Sequence, residues 1–359
     1  AGAGAGDGDG DGAGDGDGDG DGDGDGDGDG DGDGDGDVLC EAPAAYEDCD
    51  DWQTNDPLEA IGLNCPGDET NSIQVSNVNI DAVNANSWRV VTQYGTNGHW
   101  VPNPNPWISP NDDEIPPNTS STFLLLSTGT IPQPNNMGVV IDNADQDGNG
   151  DNGNNDNPGP GGLPPPLTAA YGSNGGAGGT PFQDCDGVGD CSDSLYQWWI
   201  GNNWNNSNDA ITIQFDVTVP PGTEGFIFDF AFFSSEWPSW VDTQFNDQFV
   251  VWSTSSTYTG NLTFVNDAPL TITSLDAANA FEFTNNAPEL AGTGYTTHAA
   301  TNWFVARGSA APEETFQLTF FLSDLGDSIL ASAAAIDNFR WECEGCVPSE
   351  VMDCGIIIQ

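Results

Sequence analysis

The segment GFIFDFAFF, residues 225–233, sets Phe226, Phe228, Phe230 and Phe232 at a period of two, with Asp229 among the alternate positions. Only an extended strand puts four such rings on one face and a carboxylate on the other, because successive strand side chains point to opposite sides. The same alternation runs through AITIQFDVTVP, which Pro220 and Pro221 then stop, and in part through SIQVSNVNI and SWRVVTQYG. TFLLLSTG is a short apolar run, and NDQFVVWST, GNLTFVND, LTITSL, TFQLTFFLSD and AAAIDNFRWEC complete the set. Long helical periodicity is absent and turn residues recur at short intervals, so the expected fold is all-β, an antiparallel jelly-roll-like β-sandwich with long Asp/Asn/Gly-rich loops.

A different kind of sequence precedes it. Glycine occupies every even position from Gly2 to Gly36, and the odd positions through Asp37 hold only alanine or aspartate. This (Asp-Gly)n low-complexity repeat has no apolar surface to bury, and ordering it costs about 35–70 kcal/mol in backbone entropy at about 1–2 kcal/mol per residue. In an isolated chain it is therefore expected to be an acidic tether. In company, calcium bridging its carboxylates and lateral packing of the all-glycine face would let it act as an assembly strand, and AGAGAG is itself silk-like. The expected organisation is the repeat at 1–37, a cysteine-containing connecting segment at 38–68, the β-sandwich at 69–346 and a tail at 347–359. Within the sandwich, residues 142–166 are too long and polar for a plain connection, which marks them as a functional, ion-stabilised or disordered loop.

The charge is extreme: 57 acidic residues face three arginines and no lysine, for a net charge of −54. Without the 15 aspartates of the repeat it is still −39. Such a surface repels nucleic acid and anionic membranes and attracts hard divalent cations that prefer oxygen ligands; a surface suited to a salty medium is the plainer reading. No stretch approaches the roughly 20 apolar residues of a membrane helix. The eight cysteines fit a disulfide-bonded exported protein. Cys343-Glu-Gly-Cys346 is also a CxxC, but no second CxxC or suitably placed histidine supports zinc. The one pairing expected from spacing is Cys185–Cys191. The absence of a signal peptide is read as that of a mature exported chain, extracellular or at the cell surface, and three Asn-x-Ser/Thr sequons, at Asn118, Asn205 and Asn261, are compatible with export.

Four segments, TPFQDCDGVGDCSDSLYQWW, FDFAFFSSEWP, FNDQFVVW and FLSDLGDSILASAAAIDNFRWECEGC, occur in this order. Together they resemble the choice-of-anchor L domain of secreted or surface-attached bacterial proteins, in a form similar to that of myxobacteria. With DPLEAIGLNCPGD, LLLSTG and GGTPF upstream, the resemblance covers roughly residues 56–346. It implies attachment through a C-terminal sorting device, and VPSEVMDCGIIIQ does not look like one. No activity is generally assigned to that family, so the resemblance leaves the biochemistry open.

The strongest ligand pattern is Asp145, Asp147, Asn149, Asp151 and Asp156, oxygen donors spaced as in a calcium loop with glycine at the sixth position. A chance match in an Asp/Asn/Gly-rich linker is the bland alternative. Asp184, Asp186, Asp190 and Asp193 crowd a second candidate, where like charges call for a cation unless the turn is simply solvated. A third set is scattered: Glu236, Asp247, Asp324, Asp327 and Asp337. The aspartate-asparagine pair at Asp337 resembles sandwich domains in which that aspartate holds a structural ion, and the alternative is a carboxylate bonded to backbone amides. An acid/base pair from Glu236 with Asp242 or Asp247 is nearly unavoidable among so many acids, and His99 and His298 accompany no nucleophile signature, so the chain is not expected to be an enzyme. The 12 tryptophans, with Trp198, Trp199 and Trp204 in one cluster and Trp237 and Trp240 in another, are expected to pack the long loops or to stack on sugars.

Two functions remain. One is a secreted, calcium-stabilised structural subunit of an extracellular fibre, matrix or cell-surface layer, self-associating into a homopolymer. The other is a surface-tethered adhesin module that binds glycans or another polymer.

Overall fold

The computed structural model describes residues 40–42, 51–67, 71–82, 84–103, 120–144, 162–169, 190–191, 194–203, 205–265, 268–346 and 354–357. The calcium-loop positions from Asp145 to Asp156, the acidic turn at Asp184, Asp186 and Asp193, and the repeat lie outside them. The described residues fall within one compact unit.

The unit is all-β, and its main body is two sheets face to face. One follows the order Val75–Ala82, Ser207–Thr218, Thr315–Leu325, Gln248–Thr254, Thr259–Asn261, Asp190–Cys191. The other follows Phe281–Thr284, Ala299–Thr301, Gly225–Ser234, Ser332–Glu342, Phe123–Ser127, Trp88–Val91, with Phe304–Ser309 also paired to Gly225–Ser234 and carrying Gly355–Ile357 on its far side. Neighbours are antiparallel except for the short pairing of Asp190–Cys191 with Thr259–Asn261. The expected sandwich is therefore what forms.

The core between the sheets is built from the alternating faces. Phe226, Phe228, Phe230 and Phe232 point into it, opposed by Phe249, Val251, Phe316, Leu318, Phe320 and Leu322 of the other sheet. Fully burying a phenylalanine contributes about 1.5–3 kcal/mol, so this one strand supplies a large share of the driving force. The alternate residues are buried too. Ala231 and Phe233 join Tyr94, Trp100, Phe123 and Trp303 in a second core outside the eight-stranded sheet. Val250, Trp252 and Phe321 pack against Leu167, Leu195 and Trp199 outside the six-stranded one. Long loops thus fold back over both outer faces, which is why Gly225–Ser234 is buried along its whole length.

The edge strand Val75–Ala82 is mostly exposed. An irregularity between Ser76 and Asn79, with Asn77 at φ 52°, interrupts its pairing; such bulges discourage edge-to-edge association.

Ser332–Glu342 changes face halfway. Ala334 and Ile336 point into the inter-sheet core, and so do Phe339 and Trp341. The parity switch occurs where the register with Gly225–Ser234 slips between Asp337 and Arg340, with Asn338 at φ 57°. Asparagine tolerates this left-handed conformation because its side chain bonds locally. The bulge gathers Asp337, Asn338 and Arg340 around Asp229 on the outer face. Arg340 Nη1 lies 3.5 Å from Asp229 Oδ1, and Asn338 Nδ2 donates to Asp229 Oδ2 at 3.0 Å.

Among the described residues two disulfides have both partners placed, Cys40–Cys343 and Cys346–Cys354. They consume both cysteines of the CxxC, which removes zinc as their role. Cys191 is disulfide-bonded, while Cys185, its expected partner, lies outside the described residues.

Candidate metal centre

At one end of the inter-sheet core the apolar faces run out into carboxylates. Asp247 immediately precedes Gln248–Thr254 and continues the inward face of Phe249 and Val251. Asp324 continues the inward face of Phe320 and Leu322 on Thr315–Leu325. Because Ser323 pairs with Gln248, the adjoining positions Asp324 and Asp247 lie side by side. Glu236 comes from the opposite sheet, two residues beyond Gly225–Ser234, where its N–H donates to Ser234 Oγ at 3.1 Å.

Glu236, Asp247 and Asp324 each present a carboxylate oxygen within 4.8 Å of the others. They are 1%, 0% and 1% exposed. The Asp247 N–H donates to Glu236 Oε2 at 3.2 Å, which closes the mouth of the intervening loop, and the Leu325 N–H donates to Asp247 Oδ1 at 3.1 Å. Asp247 Oδ2 and Asp324 Oδ1 have no hydrogen-bond donor as ionised groups. Ser332, which starts the neighbouring strand opposite Ser234, is fully buried on the inward face it shares with Ala334 and Ile336, and it favours the charged form of Asp247.

The electrostatics are severe. Unit charges about 4–5 Å apart repel by roughly 3–4 kcal/mol per pair at an effective dielectric of about 20. Three ionised carboxylates would thus cost about 10 kcal/mol, as much as the net stability of many domains. Burial and the neighbouring Asp247 push the Glu236 carboxyl well above its usual range. Burial, Asp247 and Glu236 do the same to Asp324, and burial pushes Asp247 up to about 7. No basic side chain offsets this. The chain has three arginines and no lysine. Arg307 pairs with Glu342 at 2.7 Å, Arg340 with Asp229, and Arg89 donates to the carbonyls of Ala85, Trp88 and Pro132. Protons or a cation must therefore balance the cluster.

The loop between Glu236 and Asp247 is braced by its tryptophans. Trp237 Nε1 donates to Asp276 Oδ1 at 2.8 Å and its ring packs on Phe281. Trp240 meets Phe245 edge-on and is 38% exposed. Packing thus uses Trp237 and Trp199, as expected for the loop tryptophans, and leaves Trp240 partly open.

The expected ligands separate accordingly. Asp247 stands in the cluster, together with Glu236 and Asp324 of the same scattered set; Asp327 lies nearby, raised by its own burial. Asp337 does not join them. Its Oδ2 accepts from the Asn103 N–H at 3.0 Å on the outer face, the backbone-bonded alternative. The backbone of Asp190 pairs with Thr259, and its side chain lies outside the described residues. Ser332 carried no sequence signal as a site residue, because a serine opening a strand is ordinary until its neighbour is known.

Residues 169–338, which include the cluster and Ser332, match the family model described as Choice-of-anchor L domain. No curated protein and no solved structure matches the chain.

Proposed function

The chain carries a choice-of-anchor L domain over residues 169–338, a domain of extracellular and surface-held proteins, and from that premise we propose that it is a calcium-stabilised structural subunit of an extracellular fibre, matrix or cell-surface layer. Cys40–Cys343 carries the reading. This bond joins residues 303 apart in sequence, with Cα atoms 5.6 Å apart. Tension entering before residue 40 and leaving after residue 343 passes through one covalent link and bypasses the strands between. A module wired in this way serves as a bead in a stressed array. Among the described residues no helix is long and apolar enough to cross a membrane. The repeat at residues 1–37 is the assembly element in this reading: extended, it sets aspartates about 7 Å apart on one face, where calcium can bridge copies.

Electron microscopy of the purified chain in calcium and then in chelator tests the proposal. Filaments or sheets in calcium that disperse on chelation are the expected result, and monodisperse monomers under both conditions would overturn it. The exposed Trp240 favours a second reading, an adhesin that stacks a sugar ring. Glycan-array binding that Trp240→Ala abolishes would support that reading.

A further inference from the structure

We propose that Glu236, Asp247 and Asp324, with the Ser332 hydroxyl, hold one calcium ion that fastens the two sheets together at this end of the sandwich. The site deepens the reading of a calcium-stabilised module and rests on it. Four separate segments supply the oxygens. Glu236 and Ser332 belong to the eight-stranded sheet, where their strands pair through Ser234 and Ser332. Asp247 and Asp324 belong to the six-stranded sheet, where their strands pair through Gln248 and Ser323. The oxygens converge where the phenylalanine core ends, so an ion here bridges the layers in place of apolar contact.

Three observations support a cation. The carboxylates meet within 4.8 Å while all three arginines are engaged elsewhere. Asp247 Oδ2 and Asp324 Oδ1 are buried and make no hydrogen bond of normal geometry, whereas buried carboxylates in a purely structural role collect N–H and O–H partners. Third, the Ser332 hydroxyl is fully buried on the inward face it shares with Ala334 and Ile336 and has no hydrogen-bond partner of normal geometry, which makes it a neutral fourth oxygen. The set is all oxygen, with neither histidine nor cysteine, which selects against zinc. Its irregular, multi-segment geometry suits calcium, which accepts six to eight ligands flexibly, better than magnesium, which demands a near-ideal octahedron.

The test uses the full chain, calcium chloride and EGTA. Thermal unfolding of the wild type should rise by about 5 °C at a calcium concentration about 100-fold above Kd. Asp247→Asn should lose most of that rise and one bound calcium per chain by equilibrium dialysis. In chelator it should be at least as stable as the wild type, because the amide removes like-charge repulsion. If Asp247→Asn fails to fold, Ser332→Ala keeps the carboxylates, and the calcium needed for half the effect should rise about tenfold. Variants stabilised by calcium as fully as the wild type would overturn the site and leave the module reading intact, with calcium bound elsewhere. A wild type indifferent to calcium would overturn both.

Discussion

Gly308 lies on Phe304–Ser309 directly across from Phe226, and a Cβ added there would overlap the Phe226 ring. That ring cannot step aside, because it stacks on Phe339 at 5.6 Å and packs against Phe316 and Trp341. Gly308→Ala should therefore destabilise the protein by about 2–3 kcal/mol, the usual cost of overpacking a filled core, read as a lower urea midpoint at unchanged slope. Asp229 presents the opposite problem on the outer face. Burial pushes its carboxyl up, and Arg340, Asn338 and Asn103 hold it back. Arg340→Leu would strand a buried charge and should cost about 3–5 kcal/mol, and adding Asp229→Asn should recover most of that loss. Failure of the second substitution to rescue the first would mean that the guanidinium acts through packing and its bond to the Asn338 carbonyl.

Between elements, Glu314 ties the loop after Gln248–Thr254 to the turn before Thr315–Leu325. Its carboxylate accepts from the Ser255 and Ser256 hydroxyls, from the Ser256 N–H at 3.0 Å and from the Ala311 N–H at 2.7 Å. Partial burial acts to raise its pKa, but these bonds to the charged form outweigh it and hold the group below its ordinary value. A depressed carboxylate stabilises the fold above its unfolded pKa and loses that contribution as pH falls through the folded one. Glu314→Gln should thus cost about 1 kcal/mol near pH 7 after solvent screening, and the gap to wild type should close as the pH falls through the depressed pKa of the folded state. At this scale the strands were legible in the sequence, since the period-two phenylalanines have only one extended arrangement. The bulge at Asp337–Asn338 was not. AIDNF reads as an ordinary strand end, and the face switch shows only when Phe339 and Trp341 must share a core with Ala334 and Ile336. The cluster was half legible. Glu236, Asp247 and Asp324 stood out as acids beside apolar strands, but among 57 acidic residues only strand register reveals which three converge.

For the whole molecule, sequence alone is silent on the disulfide that matters most, because eight cysteines allow 105 pairings and the partners lie 303 residues apart. Closing so long a loop removes about 5–6 kcal/mol of unfolded-state entropy in the chain-entropy model, so Cys40→Ser with Cys343→Ser should lower stability by several kcal/mol without altering the sheets. The mechanical consequence is larger and separates wiring from mere stability. With the bond intact, a chain pulled from residue 38 and residue 347 has no slack between 40 and 343 to release, however far the sandwich unfolds. Once it is reduced, the same 303 residues can extend by about 1,000 Å at roughly 3.3–3.6 Å per residue. Single-molecule pulling from those two points should therefore show almost no unfolding extension in the oxidised protein, and a gain of about 1,000 Å, less the folded end-to-end distance, after reductant. A long extension before reduction would show that tension runs through the strands, and the disulfide would then stabilise the fold without shielding it from force.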